Sequence, residues 1–217
     1  MILYNYYRSS SSYRVRLILA YKNISYQYIP INLLKREQDQ PSFRQLSPLG
    51  QVPCLVTSDV YLTQSMAIAL FLEEKYPNPP LLPQNPTLRA KVIEFCEFIN
   101  CAQPLQNLST LEFLTKKLNV DEHGKKLWLH HWLRSTLEAL EALIKQNGSK
   151  KFSVGNTITL ADCFLMPHLF SARRFDVDFS DLMLLQSIEA SLSNETWVVQ
   201  AHPSNQPDYP TSHSGSS

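Results

Sequence analysis

Residues 2–20 read ILYNYYRSSSSYRVRLILA, and this stretch decides the fold. Its first six residues form a strand-like apolar run, and Val15, Ile18 and Leu19 then recur at the spacing of the buried side of a helix. A cluster of hydroxyls, Ser9 to Ser12, therefore lies where a strand is followed by a helix. The N–H groups and partial positive charge of a helix start favour an anion, and serine hydroxyls there can donate to a thiolate or a carboxylate. The residues alone leave two interpretations open, a helix cap in a polar loop or an anion site.

The remainder of the first third alternates strand and helix patterns. It contains an alternating apolar segment, a short helix ended by Ser-Pro-Leu-Gly, a hairpin that turns at Ser58-Asp59, and a final helix. These predicted elements span 25–31, 41–46, 52–56 with 60–62, and 65–76. The order βαβ followed by ββα is the one expected for a thioredoxin-like domain, so we predict that the chain begins with an α/β domain.

A proline-rich break separates this part from the rest of the chain. Residues 77–86 hold five prolines, which cannot continue a helix and form a stiff connector. The pattern beyond it is helical, over 88–114 with an interruption at Gln103-Pro104 and again over 124–144. The predicted domains are an α/β domain over 1–79 and an all-helical domain over 80–217.

Two local signals refine the helical domain. Thr159 is a predicted helix cap, and Asp162, three residues on, can return a hydrogen bond to the cap N–H, as in a structural capping box. The tail from His202 is rich in Pro, Ser and Asn, and we expect it to be loosely held.

Composition limits the classes of function. The 217 residues are 44% hydrophobic and 18% charged, as in an ordinary globular protein. A net charge of +1 does not argue for nucleic acid, and no apolar run approaches the roughly 20 residues of a membrane span. The four cysteines have no Cys or His partners at zinc-ligand spacing, so we expect reduced thiols and no metal. The N-terminus lacks a signal-peptide pattern, and we expect a cytoplasmic protein.

Two further places suggest a ligand. A cis bond at Val52-Pro53 would leave the Val52 backbone free to pair with an extended peptide; a proline at a strand edge is the alternative. Gln64-Ser65 offers an amide and a hydroxyl to a carboxylate at a second helix start, where a simple serine cap is the alternative. Together with the serine cluster, these places describe a site for a small peptide that carries a thiol and a carboxylate.

The chain resembles the cytosolic glutathione transferases, and most of all their zeta class, from near its start to about Pro210. The segment 9–16 and the QPLQNLS segment, 103–109, are specific to that class, whereas Val52-Pro53 is shared by much of the superfamily. The resemblance implies a thioredoxin-like domain followed by a helical bundle, and a homodimer. Further positions that carry it are Gln51, Gln64-Ser65 with Ala67-Ile68, Val154-Gly155, Thr159-Leu160-Ala161-Asp162, Arg174-Phe175 and His202-Pro203.

The first motif departs from the family pattern, which usually reads Ser-Ser-Cys-Ser-Trp. This chain has Ser11 in place of that cysteine and Tyr13 in place of the tryptophan. A serine cannot act as a thiol nucleophile, so a mechanism that needs the protein cysteine is not available, whereas one in which glutathione supplies the sulfur is.

The resemblance also implies roles for individual residues. Ser9 stabilises the glutathione thiolate, with Ser10 and Ser11 beside it as further catalytic residues at the helix start. Arg174, assisted by Arg14, faces an acidic substrate, where a cation suits a carboxylate. The implied glutathione contacts are Ser9, Ser10, Ser11, Ser12, Tyr13, Arg14, Gln38, Val52, Gln64, Ser65, Gln103, Asn107, Leu108 and Ser109.

The implied function is glutathione-dependent cis–trans isomerisation of maleylacetoacetate, a small dicarboxylic acid, in tyrosine and phenylalanine breakdown. Two alternatives stay open from the residues. One is a related glutathione-dependent activity, either maleylpyruvate isomerisation or conjugation and dehalogenation of small α-halo acids. The other is a non-catalytic binding module of the same fold, which the missing cysteine at Ser11 alone supports.

Overall fold

A computed structural model describes residues 1–149 and 151–210. The chain divides into two compact units, residues 80–193 and residues 1–79 together with the segment that begins at Asn194. The strands are β1 Ile2–Asn5, β2 Gln27–Pro30, β3 Cys54–Val56 and β4 Tyr61–Thr63. The helices are α1 Ser10–Tyr21, α2 Pro41–Leu46, α3 Ser65–Lys75, α4 Pro86–Ala102, α5 Leu108–Lys116, α6 Glu122–Gln146, α7 Leu160–Arg174, α8 Met183–Leu192 and α9 Thr196–Ala201.

The first unit is built on a mixed sheet with the strand order β2-β1-β3-β4. Strand β1 pairs in parallel with β2 and antiparallel with β3, with Leu3 opposite both Tyr28 and Leu55. Leu3 on β1, Leu55 on β3 and Ile68 on α3 are fully buried, and α3 packs on α1 and β4. The βαβ and ββα order predicted from the sequence is confirmed, and the unit is thioredoxin-like. It places the ends of β1 and the starts of α1 and α3 in the same unit.

The C-terminal segment corrects the predicted domain assignment. The sequence assigned everything after residue 79 to the helical domain, but α9 packs on α1 in the first unit. It also expected a loose tail from His202, whereas residues 202–210 are held by hydrogen bonds; residues 211–217 of that prediction lie outside the described residues. The rings of Tyr21 and Trp197 meet edge to face, 5.3 Å apart. The Gln206 side chain donates to the carbonyls of Gln200 and His202, 2.9 Å from each. Apolar packing on α1 and polar side chains that satisfy local carbonyls hold this segment, which composition alone does not reveal.

The second unit holds α4 to α8. Its predicted break is confirmed, because α4 is followed by a 3-10 helix, Gln103–Gln106, before α5 begins. The start of α7 forms the predicted network, in which the buried Asp162 carboxylate accepts from the N–H of Thr159 and of Ser153, at 2.8 Å each. None of the helices within 1–149 and 151–210 combines the length and the apolarity that crossing a membrane requires.

Candidate active site

The start of α1 serves at once as a helix cap and as a place for an anion. Ser9 is the N-cap residue, and its Oγ accepts from the N–H of Ser12 at 3.2 Å. Its carbonyl accepts from the N–H of Tyr13 at 2.9 Å. A hydroxyl has one hydrogen and two lone pairs, so the cap leaves the Ser9 hydrogen available to donate. The first turn of α1 contains no acidic residue that would neutralise the positive end of the helix.

The side chains of the serine run point in different directions. Ser9 and Ser11 are half-buried, whereas Ser12 is fully buried. Tyr13 is also buried, with Arg16 over its ring at 5.3 Å and the His202 ring at 6.0 Å. Ser12 and Tyr13 therefore pack inside the first unit, and their contact with glutathione stays a prediction. The helical turn brings positions three and four residues past the cap back to the packed face.

A buried cation joins α1 to α3. Arg14 Nη1 donates to Ser65 Oγ at 3.1 Å, and both residues are nearly inaccessible. The structure thus brings together two predicted site residues that lie 51 positions apart in the chain. Arg14 is only 1% exposed, and its predicted contact with an acidic substrate stays a prediction.

Gln64, just before α3, has an unusual backbone conformation. Its φ of 72° and ψ of 118° lie where a non-glycine residue is strained. The side chain is exposed and makes no cap bond to α3. Such strain persists only where surrounding structure imposes it, and it concentrates at ligand sites.

The Val52–Pro53 peptide bond is cis, which is the first of the two interpretations that the sequence left open for this proline. Val52 is 8% exposed.

Gln38 lies in a 3-10 helix, Glu37–Asp39. Its Oε1 is buried and accepts no hydrogen bond from the part of the chain that the structure describes. A Cβ at Gly50, whose φ is +60°, would lie 2.9 Å from the Gln38 carbonyl oxygen, so only glycine fits beside this turn. A buried oxygen without a donor is costly, so a hydrogen-bond donor at this position would be favourable.

Predicted site residues of the second unit form a compact turn of their own. Gln103 Nε2 donates to Asn107 Oδ1 at 3.1 Å, and Asn107 is the N-cap residue of α5. Leu108 and Ser109 then occupy the first turn of α5. The indole of Trp128 donates to the Leu105 carbonyl at 2.7 Å, which fixes the turn against α6.

Arg174 is the last residue of α7 and is exposed. Its guanidinium carbon lies 4.0 Å from the centre of the Phe175 ring, a stacking contact that directs the cation. The neighbouring Arg173 is paired with Glu189. His130 Nε2 lies 2.8 Å from the Phe175 carbonyl, so a residue of α6 also contacts the C-terminal end of α7.

Trp128 and His130 were missed as supports of the site. The sequence places them on one helix with ordinary spacing, and no local signal points to the carbonyls that they meet. These partners lie 23 and 45 residues away in the chain.

Comparison with known proteins places the chain in a family. Residues 1–74 match the model of the glutathione S-transferase N-terminal domain, and residues 128–203 match that of the C-terminal domain. The protein from Drosophila melanogaster named probable maleylacetoacetate isomerase 2 is 42% identical over 213 residues, covering 96% of this chain and 90% of that protein.

Two solved structures share the whole fold. A holo structure of maleyl pyruvate isomerase, described as a bacterial glutathione S-transferase in zeta class, has a TM-score of 0.94 and 37% identity, covering 97% of this chain and 100% of the other. Maleylacetoacetate isomerase from Anaeromyxobacter dehalogenans 2CP-1, with bound dicarboxyethyl glutathione and citrate, has a TM-score of 0.86 and 37% identity, covering 97% and 94%. The chain therefore belongs to the glutathione S-transferase family, within its zeta class.

Proposed function

We propose that this protein catalyses the glutathione-dependent cis–trans isomerisation of maleylacetoacetate to fumarylacetoacetate, a step of tyrosine and phenylalanine breakdown. The observation that carries the proposal is the start of α1, where a capping hydroxyl keeps its hydrogen and no acidic residue occupies the first turn. The relative named probable maleylacetoacetate isomerase 2 supports the choice of substrate.

The residues present suit glutathione. Glutathione is a tripeptide with a thiol and two carboxylates, and the first unit offers hydroxyls, amides and a buried cation within one region of α1 and α3. The unsatisfied Gln38 Oε1 is the orphan acceptor that a peptide N–H would fill. We assign Ser9, Ser10 and Ser11 to the thiol, Gln64 and Ser65 to the γ-glutamyl end, and Val52 to the peptide backbone.

Bound glutathione supplies the sulfur that adds to the conjugated double bond and leaves it again, so that the carbon–carbon bond can rotate in between. Ser9 donates a hydrogen bond to the sulfur anion, and the α1 start adds its partial positive charge. Together these effects lower a thiol pKa from about 8.5 toward neutrality, which raises the fraction of the reactive form.

The first unit offers no accessible thiol of its own for this chemistry. Cys54 is the one cysteine in the sequence of the first unit, and it is fully buried. Burial raises the pKa of the Cys54 thiol to about 11, so this thiol stays protonated near neutral pH. Ser11 occupies the position of the family cysteine and provides a hydroxyl donor in its place.

We assign recognition of the acidic substrate to Arg174, with Gln103, Asn107, Leu108 and Ser109 of the second unit as further ligand contacts. A guanidinium stacked on Phe175 is a restrained cation, and a restrained cation loses less conformational entropy when it binds a carboxylate. We also propose a cytoplasmic location and a homodimer. The cysteines are free thiols, which suits a reducing compartment.

Maleylpyruvate is the second candidate substrate, because the solved maleyl pyruvate isomerase has nearly the same fold. It shares with maleylacetoacetate the cis double bond next to a carbonyl, so the same residues would act on it.

The test is conversion of both acids by the purified protein, with and without glutathione, beside binding to immobilised glutathione. Glutathione-dependent conversion of maleylacetoacetate supports the proposal, and preference for maleylpyruvate would move the assignment to that acid. Binding without conversion of either acid would favour another acidic substrate, and absence of binding would favour the non-catalytic module.

A further inference from the structure

The turn that leads from β1 to Ser9 is held by hydrogen bonds to four of its backbone atoms. The Ser9 N–H donates to the Tyr6 carbonyl at 3.0 Å and closes the turn. The N–H of Tyr7 donates to Asp208 Oδ2 at 3.0 Å. The carbonyl of Tyr7 accepts from Arg16 Nη2 at 2.8 Å. Both backbone polar groups of Tyr7 are therefore fixed by side chains from outside the turn.

Asp208 is itself fixed. Its other carboxylate oxygen accepts from the hydroxyl of Tyr28 on β2, and the Tyr209 ring lies edge to face with Tyr7 at 5.4 Å. Burial and the hydrogen bond to Asp208 both raise the pKa of the Tyr28 hydroxyl, so it stays a donor across the neutral range. The carboxylate is thus set between a strand and the turn, rather than free to sample other positions.

Arg16 ties the same turn to α9. Its Nε donates to the Ala201 carbonyl at 3.1 Å, while its Nη1 donates to Asn5 Oδ1 at 3.1 Å. Arg16 is 1% exposed, so these bonds are shielded from water. The segment after Asn194 and the turn before Ser9 are therefore parts of one hydrogen-bonded assembly.

From this we infer that Asp208 is a positioning residue: by holding Tyr7, it sets the place of the Ser9 hydroxyl two residues later. The inference rests on the proposed function of Ser9 toward the glutathione sulfur. A hydrogen-bond donor must lie within tenths of an ångström of its productive place, and a shift of about 1 Å can cost about 100-fold in rate.

The test compares three variants of the full chain. Asp208→Ala removes both acceptors, Asp208→Asn removes the charge but keeps an acceptor and the shape, and Tyr28→Phe removes one donor and leaves the bond to Tyr7 intact. Far-ultraviolet circular dichroism and thermal melting establish that each variant is folded. Amide hydrogen exchange over residues 6–12 is measured without ligand, and the thiol pKa of bound glutathione and kcat are measured with it.

In Asp208→Ala, we expect exchange at the Tyr7 amide to be at least ~10-fold faster. We also expect the bound thiol pKa to rise by about one unit and kcat to fall at least ~10-fold, with KM for glutathione within ~3-fold. Asp208→Asn and Tyr28→Phe should stay within ~3-fold of the parent in exchange and kcat. A purely electrostatic role gives the opposite sign, because loss of a negative charge would lower the thiol pKa in both Asp208 variants.

Unchanged exchange at Tyr7 in a folded Asp208→Ala would overturn the inference, and so would faster exchange with an unchanged thiol pKa. If the parent protein bound glutathione without lowering its thiol pKa, the proposed role of Ser9 would fail and the inferred role of Asp208 with it. The exchange data would still show whether Asp208 holds the turn, so the two failures can be told apart.

Discussion

The starts of α1 and α7 both have a hydroxyl residue at the N-cap, Ser9 and Thr159, but only α7 has a carboxylate in its first turn. At α7 the buried Asp162 carboxylate accepts from Thr159 and Ser153, and the positive end of the helix is neutralised from within. At α1 the cap is Ser9, the first turn holds serines, and no carboxylate is present. The first arrangement completes a fold, whereas the second leaves a helix end whose charge a ligand can complement.

The difference therefore lies in which partner supplies the anion. In α7 the anion is a residue of the helix itself, three positions after the cap. In α1 we assign that place to the glutathione thiolate. Removal of the carboxylate at the start of α7 should lower stability. Addition of a carboxylate at the start of α1 should raise stability but weaken glutathione binding.

The largest effect is expected when the internal anion is removed. Asp162→Ala leaves the buried donors of Thr159 and Ser153 without their acceptor, which should lower the free energy of unfolding by about 3 kcal/mol. Urea denaturation measures this change. Ser153→Ala, which removes one hydroxyl, is the control and should cost about 1 kcal/mol. An equally small loss for both variants would contradict the view of α7 as an internally closed helix start.

Removal of the Ser9 hydroxyl should mainly affect chemistry. Ser9→Ala takes away a hydrogen bond to an anion, so we expect kcat with maleylacetoacetate to fall about 10- to 100-fold. Loss of the cap should cost only about 1 kcal/mol of stability. Steady-state kinetics beside thermal melting separates the two effects, with Ser9→Thr as the variant that keeps a hydroxyl. If Ser9→Ala lost stability but kept its kcat, Ser9 would be a cap and nothing more.

Adding a carboxylate to α1 should convert it toward the α7 arrangement. Ser11→Asp places an anion in the first turn, which should stabilise the helix by about 0.5 kcal/mol and weaken glutathione binding about 10-fold through repulsion. Calorimetric binding and thermal melting give the two numbers. Ser11→Asn, neutral and of the same shape, is the matched control. A variant that gained stability and kept its glutathione affinity would show that the thiolate binds elsewhere.

The smallest effect is expected when the family cysteine is restored. Because glutathione supplies the sulfur, Ser11→Cys should change kcat/KM for maleylacetoacetate by less than about 3-fold. The comparison needs the parent and the variant at the same glutathione concentration. A gain of about 10-fold or more would show that a protein thiol at this position contributes to the reaction.

The sequence was sufficient where the signals are local. The serine cluster at a strand–helix junction, the hairpin turn and the spacing of Thr159 and Asp162 all predicted what the structure contains. These features depend on residues within a few positions of each other, where periodicity and capping rules apply.

The sequence was insufficient where distant residues meet. Charged side chains are usually exposed, so nothing indicated that Arg14 would be buried against Ser65. The Asp208 carboxylate meets the Tyr7 N–H across 201 positions, and a polar, proline-containing segment gives no sign that it returns to the first unit. The first contact depends on the packing of α3 on α1 and the second on the packing of the C-terminal segment on the first unit, and a single sequence encodes neither locally.

The central claim is that the start of α1 lowers the pKa of a bound thiol. The direct measurement is the ultraviolet absorbance of the thiolate near 240 nm, followed against pH with glutathione bound to the parent protein and to Ser9→Ala. We expect a midpoint lowered from about 8.5 toward 7 in the parent, and one raised by at least about one unit in the variant. A midpoint that stays near 8.5 in the parent while glutathione is bound would contradict the claim.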